Sequence, residues 1–350
     1  MLAAMRRLWI PTRRLRSRPV ACGATAAAVL LAMACAPSPP HAEEAAAGTP
    51  QSRQAAPQDR EPPDGPYLVV LGNGQDGGDP QVGDGDLSKW RGRERRLASC
   101  LGLIDPASGG RWLFEATPDL ARQLVALDEL APRQDRPGLE GVFLTHAHVG
   151  HYAGLIFFGH EVMGASGLPV WAMPEMTAFL RGNGPWSQLV DYGNIALQPL
   201  RGRQPVEIGS GLVVTPIPVP HRREFAETVA FRIEGPRSTV LFLPDIDGWD
   251  DWDEAGVAVE DEIARVDVAY LDGSFWFHGE IPGRDMSGFP HPMIKESLAR
   301  FASLPSPERA KIRWIHLNHT NPAAVAGSEE RHEVEAAGMR IAEQGEVVPL

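Results

Sequence analysis

The sequence predicts an α/β domain: two facing mixed β-sheets with helices outside. Two observations carry this. From about residue 66 onward, short apolar segments rich in β-branched and aromatic residues dominate each half of the chain. Stretches of helical period are interspersed among them, the pattern expected of sheet packed on sheet with a helical layer beyond. Internal repeats and coiled-coil heptads are both missing from the sequence, and 350 residues suffice for one large core.

The N-terminus reads differently. Arg6, Arg7, Arg13, Arg14, Arg16 and Arg18 precede an apolar run from Ala21 to Ala34, with no acid among them. A basic region, a short apolar stretch and small residues before a cut site describe a secretory signal over 1–34. The run is shorter than the roughly 20 residues that span a bilayer. Cys35 directly follows, as in bacterial lipoprotein signals, where that cysteine is lipidated; the usual Leu three before it is Ala32 here, with Leu31 one further back. Residues 35–65 are rich in Pro, Ala, Gln and charge without an apolar period, which predicts a disordered tether. The folded domain is then 66–350, and the protein is expected to be exported to the periplasm or outer envelope, touching membrane only through Cys35.

Removing the first 34 residues takes away six Arg and no acid, leaving 27 basic against 45 acidic residues, a net charge of about −18. Such a surface repels polyphosphate and excludes nucleic acid as the expected partner. A small molecule in a metal-lined pocket remains compatible, because bound cations dominate the local field. Cys100, alone in the domain, is expected to be a small buried apolar residue without an internal disulfide partner.

In chain order, strands are expected at Tyr67–Leu71, Leu97–Asp105, Arg111–Glu115, Gly141–Leu144 and Pro169–Met173. Further strands are expected at Glu207–Pro218 (an edge or hairpin strand), Thr228–Glu234, Thr239–Leu243, Asp267–Leu271 and Arg313–Leu317. A Gly- and Asp-rich loop follows the first. Leu120, Leu124, Leu127 and Leu130 have helical spacing in Pro118–Leu130; helices are also expected at Glu175–Arg181 and His291–Ser303, and around His160 and His332. The run Trp249–Asp253 reads as an exposed turn packed over the core.

The chemistry is concentrated where strands end. Between the strand Gly141–Leu144 and an apolar helix start at Tyr152 lie His146, His148 and His151, three of the eleven histidines within six positions. One strand-end turn can present three imidazoles to a single cleft, and imidazole is the commonest metal ligand. His221, Asp245 and His319 each follow a later apolar strand. A ligand at a strand end is rigidly held yet faces an open rim, as a metal site requires.

These residues make the chain resemble the metallo-β-lactamase superfamily, an αββα sandwich with a His-x-His-x-Asp-His motif followed by a His, a bridging Asp and a His on later strand ends. Val70-Leu71-Gly72, Gly78-Asp79-Pro80-Gln81, Asn183-Gly184-Pro185-Trp186, Pro244-Asp245-Ile246-Asp247 and His316 to Pro322 are similar to proteins grouped with the pyrroloquinoline-quinone biosynthesis protein B. The cyclic-phosphate phosphodiesterases of phosphonate breakdown share the broad layout. The resemblance implies a first metal on His146, His148 and His221, and a second on His151 and His319, with Asp245 bridging. His316 competes with His319 for the last position. His291 falls where a pocket histidine acts on substrate or leaving group; His278 and Asp285 share its loop. The motif's Asp is Gly150 here, so the second site is expected to be the weaker of the two. The implied activity is that of an exported zinc-dependent hydrolase using a metal-activated water, with one or two Zn2+ per chain, first on a phosphodiester or cyclic ester. Two alternatives accompany it: metal–oxygen chemistry of the quinone-biosynthesis type, against which stands His148 where di-iron members carry Glu, and a non-catalytic metal- or ligand-binding envelope protein.

Overall fold

Fourteen strands make two seven-stranded mixed sheets in the computed structural model, which describes residues 63–350 apart from 84, 92–94 and 210. The expected signal sequence, Cys35 and nearly all of the tether lie outside the described residues. The strands are β1 Tyr67–Gly72, β2 Cys100–Asp105, β3 Gly110–Phe114, β4 Gly141–Phe143, β5 Leu168–Ala172, β6 Ile195–Pro199 and β7 Val206–Gly209, followed by β8 Leu212–Pro218, β9 Val229–Glu234, β10 Thr239–Leu243, β11 Val268–Asp272, β12 Ile312–Ile315, β13 Arg340–Ile341 and β14 Val347–Pro349. One sheet has the order β14-β1-β2-β3-β4-β5-β6 and the other β13-β12-β11-β10-β9-β8-β7.

Alternation along the strands divides the apolar residues among three layers. Inward-facing Leu68, Val70, Phe114 and Phe143 of the first sheet pack against Phe231, Ile233, Phe242 and Tyr270 of the second. Phe114 and Phe143 stack at 5.1 Å, and Phe231 meets each of them edge-on at 5.6 Å. Fully burying each such ring contributes about 1.5–3 kcal/mol, and aromatic geometry adds to that. Outside the first sheet, Leu120 and Leu127 of the helix Leu120–Leu130 lie on Val69, Leu113 and Val142. Outside the second, Trp252, Ile263, Ile294, Phe301 and Val334 cover Leu241, Leu271 and Trp314. The αββα arrangement follows.

The segment Glu207–Pro218 is, as expected, a hairpin at a sheet edge, divided into β7 and β8. Other elements differ from expectation. Trp249–Glu254 is a short helix that buries both of its tryptophans. Residue His332 lies on the helix Glu329–Ala336, whereas His160 occupies a turn. The short strands β6, β13 and β14 and the helices Trp186–Asp191 and Val259–Ala264 carry too few periodic residues to announce themselves.

Candidate metal centre

Strand direction decides which side chains meet. Antiparallel pairing of β8 with β9 and of β9 with β10, and parallel pairing of β10, β11 and β12, make β8, β10, β11 and β12 run the same way. In the first sheet β1, β3, β4 and β5 likewise share a direction. Their carboxyl ends therefore share one rim in each sheet, the usual place for ligands in such architectures. On these ends stand Asp76 beyond β1, Glu115 after β3, His146 and His148 after β4, His221 after β8, Asp245 after β10, Asp272 closing β11 and His316 after β12.

The donors form two neighbouring groups. In the first, His148 Nδ1 lies 2.8 Å from His146 Nε2 and 3.2 Å from His221 Nε2. In the second, His151 Nε2 is 3.1 Å from Asp245 Oδ2 and 3.6 Å from Asp76 Oδ1, and His316 Nε2 is 3.4 Å from Asp245 Oδ2. The other oxygen of Asp245 is 3.7 Å from His221 Nε2, so this carboxylate touches both groups. Zinc bonds of about 2.0–2.1 Å in a tetrahedron place neighbouring donors about 3.4 Å apart, which these spacings match. His151 Nε2, His316 Nε2 and Asp245 Oδ2 are buried without a hydrogen-bond partner, an expensive state for polar atoms that a bound cation would relieve. The donor set therefore fits zinc.

A family model described as the beta-lactamase superfamily domain matches residues 110–310. The chain belongs to the metallo-β-lactamase superfamily. Within it, the chain is 27% identical over 310 residues to the coenzyme PQQ synthesis protein B of Ruegeria pomeroyi, covering 79% of this chain and 98% of that one. It is 28% identical to the protein of the same description from Methylobacterium nodulans, over 81% and 99% of the two chains. Zinc-bound PqqB from Methylobacterium extorquens has a similar fold, with a TM-score of 0.67 and 23% identity over 81% of this chain and 100% of its own. A diphosphatase of the PhnP family follows at a TM-score of 0.57 and 20% identity, over 81% and 96%.

A ring of polar partners stands at the second nitrogens of the donor histidines, as partners that orient metal-ligating imidazoles do. Thr145 Oγ1 is 2.8 Å from His146 Nδ1, Asp247 Oδ1 is 3.0 Å from His221 Nδ1, and Glu224 Oε2 is 3.0 Å from His148 Nε2. In the second group, Ser274 Oγ lies 2.9 Å from His316 Nδ1, and the fully buried Glu115 lies 3.4 Å from His151 Nδ1. Glu115 sits at φ 84°, a costly backbone state for a non-glycine residue. Burial holds His146 and His316 well below the ordinary imidazole pKa and lowers His148, leaving neutral rings with free lone pairs. Burial also opposes charge on His151, but Asp245 and Glu115 outweigh it and push the ring up to about 9. Asp245 is raised by burial to about 6, against the pull of His151 and His221.

Most of the sequence-expected residues converge. His146, His148, His151, His221 and Asp245 all do, and Asp247 orients His221 from behind. His319 does not: it belongs to neither donor group, and His316 takes its place. Strand β12 ends at Ile315, and His316 turns at φ 64° so that its fully buried ring faces Asp245. The half-buried His319 is carried beyond it on the following turn. His291 is buried beside both groups, its ring centroid 5.6 Å from that of His221 and 5.9 Å from that of His316. Its Nδ1 is 2.8 Å from Asp272 Oδ2, whose charge and hydrogen bond raise the ring's pKa against the effect of burial. His278 instead faces Met286 and Glu296, and Asp285 caps its own turn through the Ser287 amide. Cys100 is fully buried, its thiol pushed up by burial and by Glu115. Sequence reasoning missed Asp76, Glu115 and Asp272. Glu115 and Asp272 sit on strand ends and Asp76 in the turn beyond one, a signal applied to the histidines but not to every carboxylate.

Proposed function

We propose that the protein is a zinc-dependent hydrolase of the cell envelope that opens a small phosphodiester or cyclic ester with water. The observation that carries this reading is His291 standing beside a complete donor cluster. The Asp272 carboxylate accepts from Nδ1, and Ser274 Oγ lies 3.1 Å from the same nitrogen; this orients the ring, and the Asp272 charge favours the doubly protonated imidazolium, in which Nε2 also carries a proton. Asp272 is itself held by the amides of Ile246 and Ser274, so the pair is rigid. When bound, zinc supplies a water acidified to a pKa of about 7 and a Lewis acid for the attacked oxygen. His291 Nε2 gives its proton to the departing alkoxide, and Asp272 stabilises the charge the ring carries beforehand. Gln75 Nε2, 3.5 Å from His291 Nε2, and Asn318, which donates to Gln75 Oε1, border the same cleft and can orient a polar substrate.

The layout shared with a diphosphatase-like fold supports phosphoester chemistry, and the acidic mature surface supports a small substrate over nucleic acid. A second reading, oxygen chemistry in coenzyme synthesis, draws on the names of the curated relatives; the first group, three imidazoles where a non-haem iron site would have two imidazoles and a carboxylate, favours zinc over it. Metal-reconstituted protein is expected to hydrolyse phosphodiester substrates in preference to lactones and β-lactams. No turnover on any of the three, at full zinc content, overturns the proposal. Export belongs to the same reading: Cys35→Ser is expected to release the protein from the membrane fraction or block its processing, and a cytoplasmic wild-type protein with its first 34 residues intact would refute it.

A further inference from the structure

We propose that Asp76 is the carboxylate ligand of the second metal, standing in for the side chain that Gly150 lacks. The inference rests on the metal-centre reading above and assigns one more residue to it. Three independent observations support it.

The first is space. Gly150 lies in the helix Val149–Tyr152, and its backbone is not in the left-handed region. Its glycine identity is therefore a matter of room. A Cβ built there would stand 2.1 Å from Asp76 Oδ1, 2.9 Å from Asp76 Cγ and 2.6 Å from Asp76 Cα. Because one of those atoms is backbone, no side-chain rotation relieves the contact. The Asp76 carboxylate thus enters the volume that a side chain at 150 would fill.

The second is reach. Asp76 Oδ1 lies 3.6 Å from His151 Nε2 and forms a donor group with His151 and His316. With Asp245 touching both histidines, the group has two imidazoles and two carboxylates, so the charge that Gly150 removes from the motif is returned from a different strand end.

The third is support. The Asp76 loop is fastened to the loop that carries His316: Gln75 N donates to Leu317 O at 2.9 Å, and Leu317 N donates to Asn73 O at 2.9 Å. From the other side, Arg95 donates to Gly77 O at 2.6 Å. Asp76 itself has φ 31°, a left-handed turn that Asp tolerates better than most residues, and this turn points the carboxylate at His151. Hydrogen bonds therefore hold the two ligand-bearing loops in register before any cation arrives.

The experiment is a zinc titration by calorimetry, with metal content measured after gel filtration, on wild type, Asp76→Ala, Asp76→Asn and Gly150→Asp. Wild type is expected to bind two zinc ions. Both Asp76 variants should keep the first ion at wild-type affinity, which also reports an intact fold, and bind the second about 10-fold more weakly or worse. Gly150→Asp should weaken the second site too, since its new side chain collides with the Asp76 loop. Wild-type binding of the second ion by the Asp76 variants, a single ion in wild type, or a second site strengthened by Gly150→Asp would each overturn the assignment. Two ions bound by wild type, with the second lost on changing Asp76 but no ester hydrolysed, would leave this inference standing while removing the proposed activity.

Discussion

The two halves of the donor cluster are built in opposite ways. The first, His146, His148 and His221, draws two of its three rings from one turn after β4, and a half-exposed carboxylate, Glu224, orients His148 from the solvent side. The second, Asp76, His151 and His316, takes one residue from each of three segments and is braced by groups that never see water, Glu115 at 0% exposure among them. The shared Asp245 joins them. Both halves join the two sheets, but the first takes two of its rings from one local turn and an exposed partner, whereas the second takes each residue from a separate segment with buried partners, so they should respond differently to substitution.

The largest effects separate the halves by what they share. Asp245→Ala removes a donor from both groups and is expected to abolish hydrolysis and most zinc binding; His146→Ala should abolish hydrolysis while sparing part of the second ion. Metal content measured beside turnover checks both, and full zinc with full activity in either variant would break the assignment.

Next comes His291, the proposed proton donor, which borders both halves. His291→Gln is expected to lower turnover by about 10²–10⁴-fold while leaving zinc content unchanged. A loss of zinc parallel to the loss of turnover would move His291 from proton transfer to ligation, a role its distance from the donors also permits.

The smallest effects sharpen the contrast in the supporting carboxylates. Glu115→Gln should weaken the second zinc by about 10–100-fold, as buried partners of metal ligands do. Glu224→Gln, at a residue whose side chain is 48% exposed, should change the first by less than about 10-fold, because solvent screens that contact. Titrating zinc into both proteins decides it; equal losses would show that burial does not grade these partners.

The sequence by itself determined whatever depends on neighbours along the chain. Apolar runs announced eleven of the strands, β7 and β8 among them as a single segment, and the spacing of His146, His148 and His151 announced the turn that carries them. Polar residues closing such runs gave His221 and Asp245. Short segments at the sheet margins, β6, β13 and β14, carried too few residues for a period to show.

Only the tertiary structure completed the second half, of which the sequence had named His151 and Asp245. Which histidine follows β12 into the cleft rests on a single left-handed residue, His316, and no pattern of residue types encodes that turn. Read alone, Gly150 was a missing ligand. In the fold it is the space that Asp76 enters from a strand end far away in sequence. A side chain's absence acquires meaning only when the group that fills its volume is known, and that volume is created by two loops that meet at the carboxyl rim of one sheet, after β1 and after β4.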